Sequence, residues 1–205
     1  MKKSNQTSHS RPISTREKSR YALKLLCVCA LMTALSVVLD GFLSLPVGSG
    51  IKFTFGFLPP AIVGMLYGPI PSAIVFGLAD LIAVFAGLSF GPFHPGFTFC
   101  NVLMGFCFGL CLHPHPFGQK RERPVSHPKL RTVLGVLTPA LFNNLICGLI
   151  LNTCWVSMIY GSKTYLGWFL YRLPQYAVMI PVYIILLFVL SRLAPTLRKM
   201  GFGKA

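Results

Sequence analysis

The chain has 205 residues and a formal net charge of +15; 54% of its residues are hydrophobic and only 11% are charged. Soluble domains carry about 25% charged residues, so an ordinary soluble fold is excluded and the chain is better divided into membrane spans of about 20 residues each. The charge alone would suit nucleic acid, but its concentration in the tails and one loop indicates membrane topology, and we expect no nucleic-acid partner.

Six apolar segments predict an all-α, polytopic membrane protein with six transmembrane helices: residues 21–45, 53–67, 70–88, 96–112, 134–155 and 165–193. Gly68 and Pro69 separate the second and third segments, which predicts a tight turn. The transmembrane domain is expected over residues 21–195. The polar, basic residues 1–20 form a tail that we expect to be disordered, and residues 196–205 form a second basic tail.

Lysine and arginine residues are distributed unevenly between the two sides that six spans would create. The N-terminal tail, the proline-rich loop at 113–130 and the C-terminal tail fall on one side, and all three are basic. The opposite loops contain only Lys52 and Lys163. Because basic loops tend to stay in the cytoplasm, both termini are expected to be cytoplasmic. The same charges attract the anionic headgroups of the lipid bilayer.

Motifs for nucleotide and metal chemistry are missing from the sequence. It contains no G-x-x-x-x-G-K-[ST] phosphate loop, no H-E-x-x-H and no other metal-ligand spacing. Only four acidic residues are present, which leaves almost nothing for catalysis by paired carboxylates. An ATP-driven pump in one chain is therefore excluded, and we expect a protein that is not an enzyme.

Arg172 lies inside the last apolar segment, where its guanidinium keeps its charge and needs an anionic partner or water. A charge at the centre of a bilayer costs roughly 3 kcal/mol on insertion scales, so this position is a candidate for function. Asp80 lies in the middle of the third segment and Asp40 near the end of the first. For Asp80, contact with a ligand and pairing with a buried cation within the bundle are both open.

Aromatic and amide side chains gather at the predicted outer ends of segments four to six. Aromatic residues at such ends are often an interfacial belt, but amides are not belt residues. Aromatic faces, amides and one arginine suit a flat heterocycle that carries a carboxylate. The group comprises Phe93, His94, Phe97, Phe99, Asn101, Asn152, Trp155, Tyr171, Arg172, Gln175 and Tyr176.

Ala30 and Ala34 form a small-x-x-x-small pattern in the first segment. Such a pattern lets another helix approach closely, because one face carries little side-chain bulk. Contact with a partner protein and packing within the bundle both remain open for this pair.

Several short stretches, taken in order, resemble the substrate-binding S components of energy-coupling-factor (ECF) vitamin transporters, and the folate-specific S component most of all. The resemblance covers about residues 21–193. Each stretch is weak alone, but their order together with six spans is fairly specific. The stretches are MTALSVVL at 32–39, FGFLPPAIVGMLYGP at 55–69, GLADL at 77–81, PGFTF at 95–99, NTCW at 152–155 and RLPQ at 172–175.

The resemblance implies a six-helix protein of the bacterial plasma membrane that holds a vitamin near its outer face. Ala30 and Ala34 match the family's docking motif. The implied partners are a transmembrane coupling protein of the EcfT type and two cytoplasmic ATPase subunits. These partners would bind ATP and Mg²⁺, and the chain itself would need no cofactor.

Folate carries a pterin, a benzoate ring and a glutamate with two carboxylates, so a folate site needs both cations and hydrogen-bonding groups. Arg172 and Lys52 suit the carboxylates, and Asp80 or the amides suit the pterin edge. The expected substrate-binding residues are Arg172, Gln175, Tyr171, Asn152, Trp155, Asn101, Phe97, Asp80 and Lys52. An S component for pantothenate, riboflavin or thiamine remains the alternative, with a small membrane enzyme or scaffold further behind. Thiamine is cationic and would favour acids, which are scarce here.

Overall fold

The computed structural model describes residues 15–46, 52–88, 93–113, 128–161 and 164–199. Within these ranges the chain is almost entirely helical, which confirms the predicted all-α class. The helices are α1 (Thr15–Phe42), α2 (Leu58–Tyr67), α3 (Pro69–Phe85), α4 (Pro95–Leu112), α5 (Pro128–Leu141), a π-helical segment (Phe142–Leu151), α6 (Asn152–Tyr160) and α7 (Tyr165–Lys199).

All six predicted apolar segments fold as helices, and α5, the π-helical segment and α6 follow one another without a break to form the fifth. Four helices of the described chain are long and apolar enough to cross a membrane: Ser19–Phe42, Pro95–Leu112, Val133–Tyr160 and Tyr165–Lys199. Helices α2 and α3 are shorter apolar helices, and Gly68 with φ 96° makes the tight turn between them.

Some boundaries differ from the sequence expectation. Helix α1 begins at Thr15, so it takes in part of the expected tail, since Arg, Glu and Lys are good helix formers that extend an adjoining helix. The loop expected between the first two segments contains an antiparallel pair of two-residue strands, β1 (Leu45–Pro46) and β2 (Lys52–Phe53). Residues 1–14 and most of the loop at 113–130 lie outside the described residues.

Helix α2 begins later than its apolar segment because two prolines fix its first turn. Pro59 and Pro60 follow Leu58 directly, and Pro is favoured there because the first N–H groups of a helix have no intrahelical partner. Phe57, just before the helix, is buried and stacks on Tyr183 of α7, with 3.6 Å between ring centroids. The same core contains Phe108 of α4 and Leu187 of α7. This cluster holds α2 against α7.

Helices α2, α3 and α4 pack closely through glycines. A Cβ atom on Gly109 of α4 would lie 2.2 Å from the Cα of Pro69, and one on Gly105 would lie 2.6 Å from the carbonyl oxygen of Ser72. Both positions therefore let the backbones of α3 and α4 approach to a distance that a side chain would prevent. Ser72 itself donates a hydrogen bond to the carbonyl of Pro60 at 2.8 Å, which ties α3 to α2.

The first and last described helical ends lie together at one end of the bundle. Near the start of α1, Tyr21 packs against Tyr67 at the end of α2, with 6.4 Å between ring centroids. At the end of α7, Arg198 donates a hydrogen bond to the carbonyl of Met65, also near the end of α2. The opposite end of the bundle is formed by the ends of α1, α3 and α6 and by the starts of α2, α4 and α7.

Candidate functional site

A cavity of about 260 Å³ lies at one end of the bundle, opposite the end where α1 begins and α7 ends. Aromatic and aliphatic side chains form much of its wall: Phe57, Phe76, Val84, Phe93, Phe97, Met104, Val156, Ile159 and Met179. Its polar lining consists of Asp40, Thr54, Asp80, His94, Asn101, Asn143, Asn144, Asn152, Tyr160, Arg172, Gln175, Tyr176 and Tyr183. An apolar pocket with a few convergent polar groups is the usual form of a small-molecule site.

Arg172 projects from the buried face of α7 and is only 8% exposed. Its Nη1 donates to the hydroxyl of Thr153 at 3.4 Å and its Nη2 to the hydroxyl of Tyr176 at 3.2 Å. Both acceptors are neutral, and Nε has no hydrogen-bond partner within the described residues. Because a buried guanidinium is costly without an anion, this position suits an incoming carboxylate.

The position of Tyr176 depends on a glycine, Gly148, in the facing π-helical segment. A Cβ atom on Gly148, in the π-helical segment, would lie 2.5 Å from the Tyr176 ring. The ring therefore packs directly on the backbone at this glycine. This contact fixes the hydroxyl that receives the hydrogen bond from Arg172, so Gly148 influences the guanidinium through Tyr176.

Asp80 presents its carboxylate beside the start of α4. Its Oδ2 accepts a hydrogen bond from Thr98 at 2.6 Å and its Oδ1 accepts one from the side-chain amide of Asn101 at 2.9 Å. A carboxylate accepts hydrogen bonds from N–H groups, and Asp80 lines the cavity. Among the described residues, the hydrogen bonds of Arg172 go elsewhere, to Thr153 and Tyr176.

A second carboxylate, Asp40, lies at the end of α1 and also lines the cavity. It accepts a hydrogen bond from the hydroxyl of Thr54, and Thr54 in turn accepts one from the N–H of Gly56 at 3.1 Å. Ser36 of α1 donates to the carbonyl of Gly56 at 2.6 Å. These contacts anchor the segment between β2 and α2 to α1, and they place an acid at the cavity that the sequence analysis did not include in the site.

Six of the nine residues expected to bind substrate line this cavity: Phe97, Asp80, Asn101, Asn152, Arg172 and Gln175. Trp155 lies just behind the wall, 5.2 Å from the ring of His94 between centroids. Tyr171 is outside the lining and packs edge-on against Trp168 at 5.9 Å. Lys52 belongs to β2, and its side chain lies outside the described part of the structure.

Asn143 and Asn144 line the cavity from the π-helical segment and were not singled out from the sequence. Asn144 donates to the carbonyl of Ala140 at 2.8 Å. Neither polar atom of Asn143 has a hydrogen-bond partner within the described residues. The available sequence signal was two adjacent amides inside an otherwise apolar segment, which is unusual in a membrane span.

Ala30 and Ala34, the expected docking pair, are both exposed on α1. Their neighbours Leu31 and Leu35 are exposed as well. The two alanines therefore do not serve close packing of α1 against the rest of the described bundle, which was the alternative reading of the pattern.

The fold is a bundle of apolar helices, four of them in the described chain long enough to cross a membrane, with a cavity at one end that polar and aromatic side chains line. The family described as "ECF transporter, substrate-specific component" matches residues 24–191. The chain belongs to this family, as the sequence resemblance predicted. It is therefore the substrate-specific component of an ECF transporter, which is a transport subunit and not an enzyme.

Two solved structures share the fold. One is described as a crystal structure of FolT bound with folic acid; it has a TM-score of 0.68 and 23% sequence identity, and the match covers 82% of this chain and 92% of that one. The other is the S component for biotin from an ECF-type ABC transporter, with a TM-score of 0.60, 20% identity, and coverage of 94% and 97%. A search of curated proteins found no match.

Proposed function

We propose that this chain captures folate on the extracellular side of the bacterial plasma membrane and delivers it for ATP-driven uptake. The observation that carries the proposal is the combination of charges in one cavity. Arg172 offers a buried cation whose hydrogen bonds in the described chain go to neutral groups. Asp80 and the neighbouring amides offer hydrogen-bonding groups on the opposite helices α3 and α4.

Folate matches this arrangement because its two ends differ chemically. Its glutamate carries carboxylates, which form charge-assisted hydrogen bonds with a guanidinium. Its pterin carries an exocyclic amino group, which can donate to a carboxylate such as Asp80. The aromatic wall suits the flat rings between the two ends. The folic acid bound by the similarly folded FolT supports the same choice, and biotin is the competitor that the second structure suggests.

The proposed orientation is supported by the distribution of basic residues along the bundle. The described helical termini lie at the end of the bundle opposite the cavity, and this end carries Arg16, Arg20, Lys24, Arg192, Arg198 and Lys199. Because basic residues favour the cytoplasmic side, this distribution supports an orientation in which both termini are cytoplasmic and the cavity faces outward. Folate would then enter from the outer side.

Transport requires partners, because the sequence carries no phosphate-binding loop. The proposed partners are a transmembrane coupling protein and two ATPases that bind ATP and Mg²⁺. Ala30 and Ala34 are exposed on α1, so a partner helix can approach the backbone closely there. The proposal assigns docking to this face and ligand capture to the cavity.

Native mass spectrometry of the purified chain tests the choice of vitamin. A tightly bound ligand should remain attached and add its own mass, and we expect the mass of a folate. A retained biotin, riboflavin, pantothenate or thiamine would instead identify a different S component and reject the folate assignment.

A further inference from the structure

We infer that Asn143 determines ligand specificity by hydrogen bonding to the lactam edge of the ligand ring, where a ring carbonyl lies beside a ring N–H. This inference rests on the proposed function and names the residue that recognises the ligand ring by hydrogen bonding. Asn143 is 1% exposed and lines the cavity. Neither its Nδ2 nor its Oδ1 has a hydrogen-bond partner within the part of the chain that the structure describes.

A buried carboxamide with two unused polar atoms is costly to the protein that carries it. Burying a polar group without a hydrogen bond is unfavourable, and native proteins rarely leave such groups unpaired. The adjacent Asn144 shows the ordinary solution, since its Nδ2 donates to the carbonyl of Ala140 at 2.8 Å. Asn143 has no such partner among the described residues, so its donor and acceptor are available to a ligand in the cavity.

The π-helical segment is what brings Asn143 to the cavity. Its hydrogen bonds span five residues, as in the bond from the N–H of Asn152 to the carbonyl of Cys147. Asn143 and Gly148 are separated by five residues and both line the cavity. In an α-helix with 3.6 residues per turn, two such positions would point about 140° apart. The wider turn therefore directs the amide of Asn143 to the same side as the Tyr176 contact at Gly148.

The chemistry of the carboxamide selects the ring end of folate over its glutamate end. Asn143 offers one acceptor oxygen beside one amino donor. A carboxylate can only accept, so it would leave the Asn143 oxygen unpaired and facing another oxygen. A ring carbonyl next to a ring N–H satisfies both atoms at once. Arg172 remains the partner for the carboxylates, and the two residues divide the ligand between them.

The test replaces Asn143 by leucine, which has a similar shape and no polar side-chain atoms. Binding of folic acid, pterin-6-carboxylate (the ring half) and p-aminobenzoylglutamate (the other half) is measured for the purified full chain, together with its melting temperature without ligand. We expect Asn143→Leu to weaken folic acid and the ring half on the order of 10- to 100-fold. Binding of p-aminobenzoylglutamate should stay unchanged.

The melting temperature separates a ligand contact from a structural role. Without ligand, Asn143→Leu removes two buried polar atoms that have no partner in the described ranges of the chain, so its melting temperature should be equal to or higher than that of the native chain. Asn144→Leu is the comparison, and it should lower the melting temperature because it loses the bond to Ala140. Unchanged affinity for folic acid in Asn143→Leu, equal weakening of both halves, or a lower melting temperature would overturn the inference. If the native chain binds no folic acid, the proposed function fails and takes the inference with it.

Discussion

Arg172 donates a hydrogen bond from its Nη2 to the hydroxyl of Tyr176, one helical turn further along α7, at 3.2 Å. The tyrosine ring in turn packs against the backbone at Gly148. The buried cation is therefore held in place by neutral groups and not by an acid of the described chain. An arrangement of this kind keeps the charge of Arg172 available for a ligand.

Replacing Arg172 by alanine should weaken folate binding much more than it weakens folding. A charge-assisted hydrogen bond contributes about 1.5–3 kcal/mol net, or roughly 10- to 100-fold in affinity. Arg192→Ala is the matched control, because Arg192 is on the same helix but lies exposed beside Phe188. Titration and melting in detergent measure both effects. Native affinity in Arg172→Ala would assign the residue a structural role.

Gly148→Ala should reduce ligand affinity by displacing Tyr176. The added Cβ atom would lie 2.5 Å from the tyrosine ring, and such overpacking costs roughly 1–3 kcal/mol. Gly135→Ala is the milder control, since its Cβ atom would meet only the carbonyl oxygen of Cys111 at 3.1 Å. If both variants bind folate as the native chain does, the packing of Tyr176 against Gly148 has no influence on the site.

Asp80→Asn should weaken the binding of the ring half of folate. The replacement keeps the size of the side chain but turns one of its acceptors into a donor, which then faces the donors of Thr98 and Asn101 or of the ligand. We expect an affinity loss on the order of 10-fold. Thr98→Val, which removes one hydroxyl and keeps the carboxylate, should lose less. Equal losses in competition titrations would indicate that Asp80 only supports the structure of α4.

Enlarging Ala30 and Ala34 together to tryptophan should stop uptake and leave folate binding intact. Bulky side chains on this face would hold a partner helix away, whereas both alanines are exposed and neither lines the cavity. Leu31→Trp with Leu35→Trp is the matched control, because this pair has the same spacing and is also exposed on α1. Vesicles containing the coupling module and ATP provide the uptake assay. Equal uptake by the Ala30→Trp, Ala34→Trp variant and the leucine-to-tryptophan control would show that the two alanines have no specific role in docking.

Gly109→Ala should destabilise the bundle without a specific effect on the ligand. Its Cβ atom would lie 2.2 Å from the Cα of Pro69, and neither backbone can move without opening the contact of α3 with α4. Overpacking is expected to lower the free energy of unfolding by roughly 1–3 kcal/mol or more. Thermal unfolding in detergent, compared with that of Gly135→Ala, measures it. An unaltered melting temperature would show that the helix pair is not close-packed at this glycine.

Much of the fold could be predicted because hydrophobic length is a strong signal in membrane proteins. The turn at Gly68 and the importance of Arg172 could also be predicted, because a glycine–proline break and a charge are both rare within an apolar stretch. The cavity position of Asn101 and Asn152 followed from their place near segment ends. These predictions needed only the order of residues along the chain.

The rest depends on backbone geometry that the sequence pattern does not encode. The π-helical segment is invisible to a reading that assumes 3.6 residues per turn, so Asn143 could not be assigned to the cavity side. Tyr171 was included as an aromatic residue near a segment end. It adjoins Arg172, but adjacent helical residues point about 100° apart, and Tyr171 packs on Trp168 instead. Asp40 was recognised as an acid near a segment end, but its contact with Thr54 depends on how the chain returns through β2.

Calorimetric titration of the purified chain with folic acid tests most directly whether this protein binds folate. The titration is done without ATP or partners, and biotin is titrated in parallel. We expect saturable binding of one folic acid per chain, markedly weaker binding in Arg172→Ala, and no saturable binding of biotin. Saturable binding of biotin with none of folic acid would contradict this expectation.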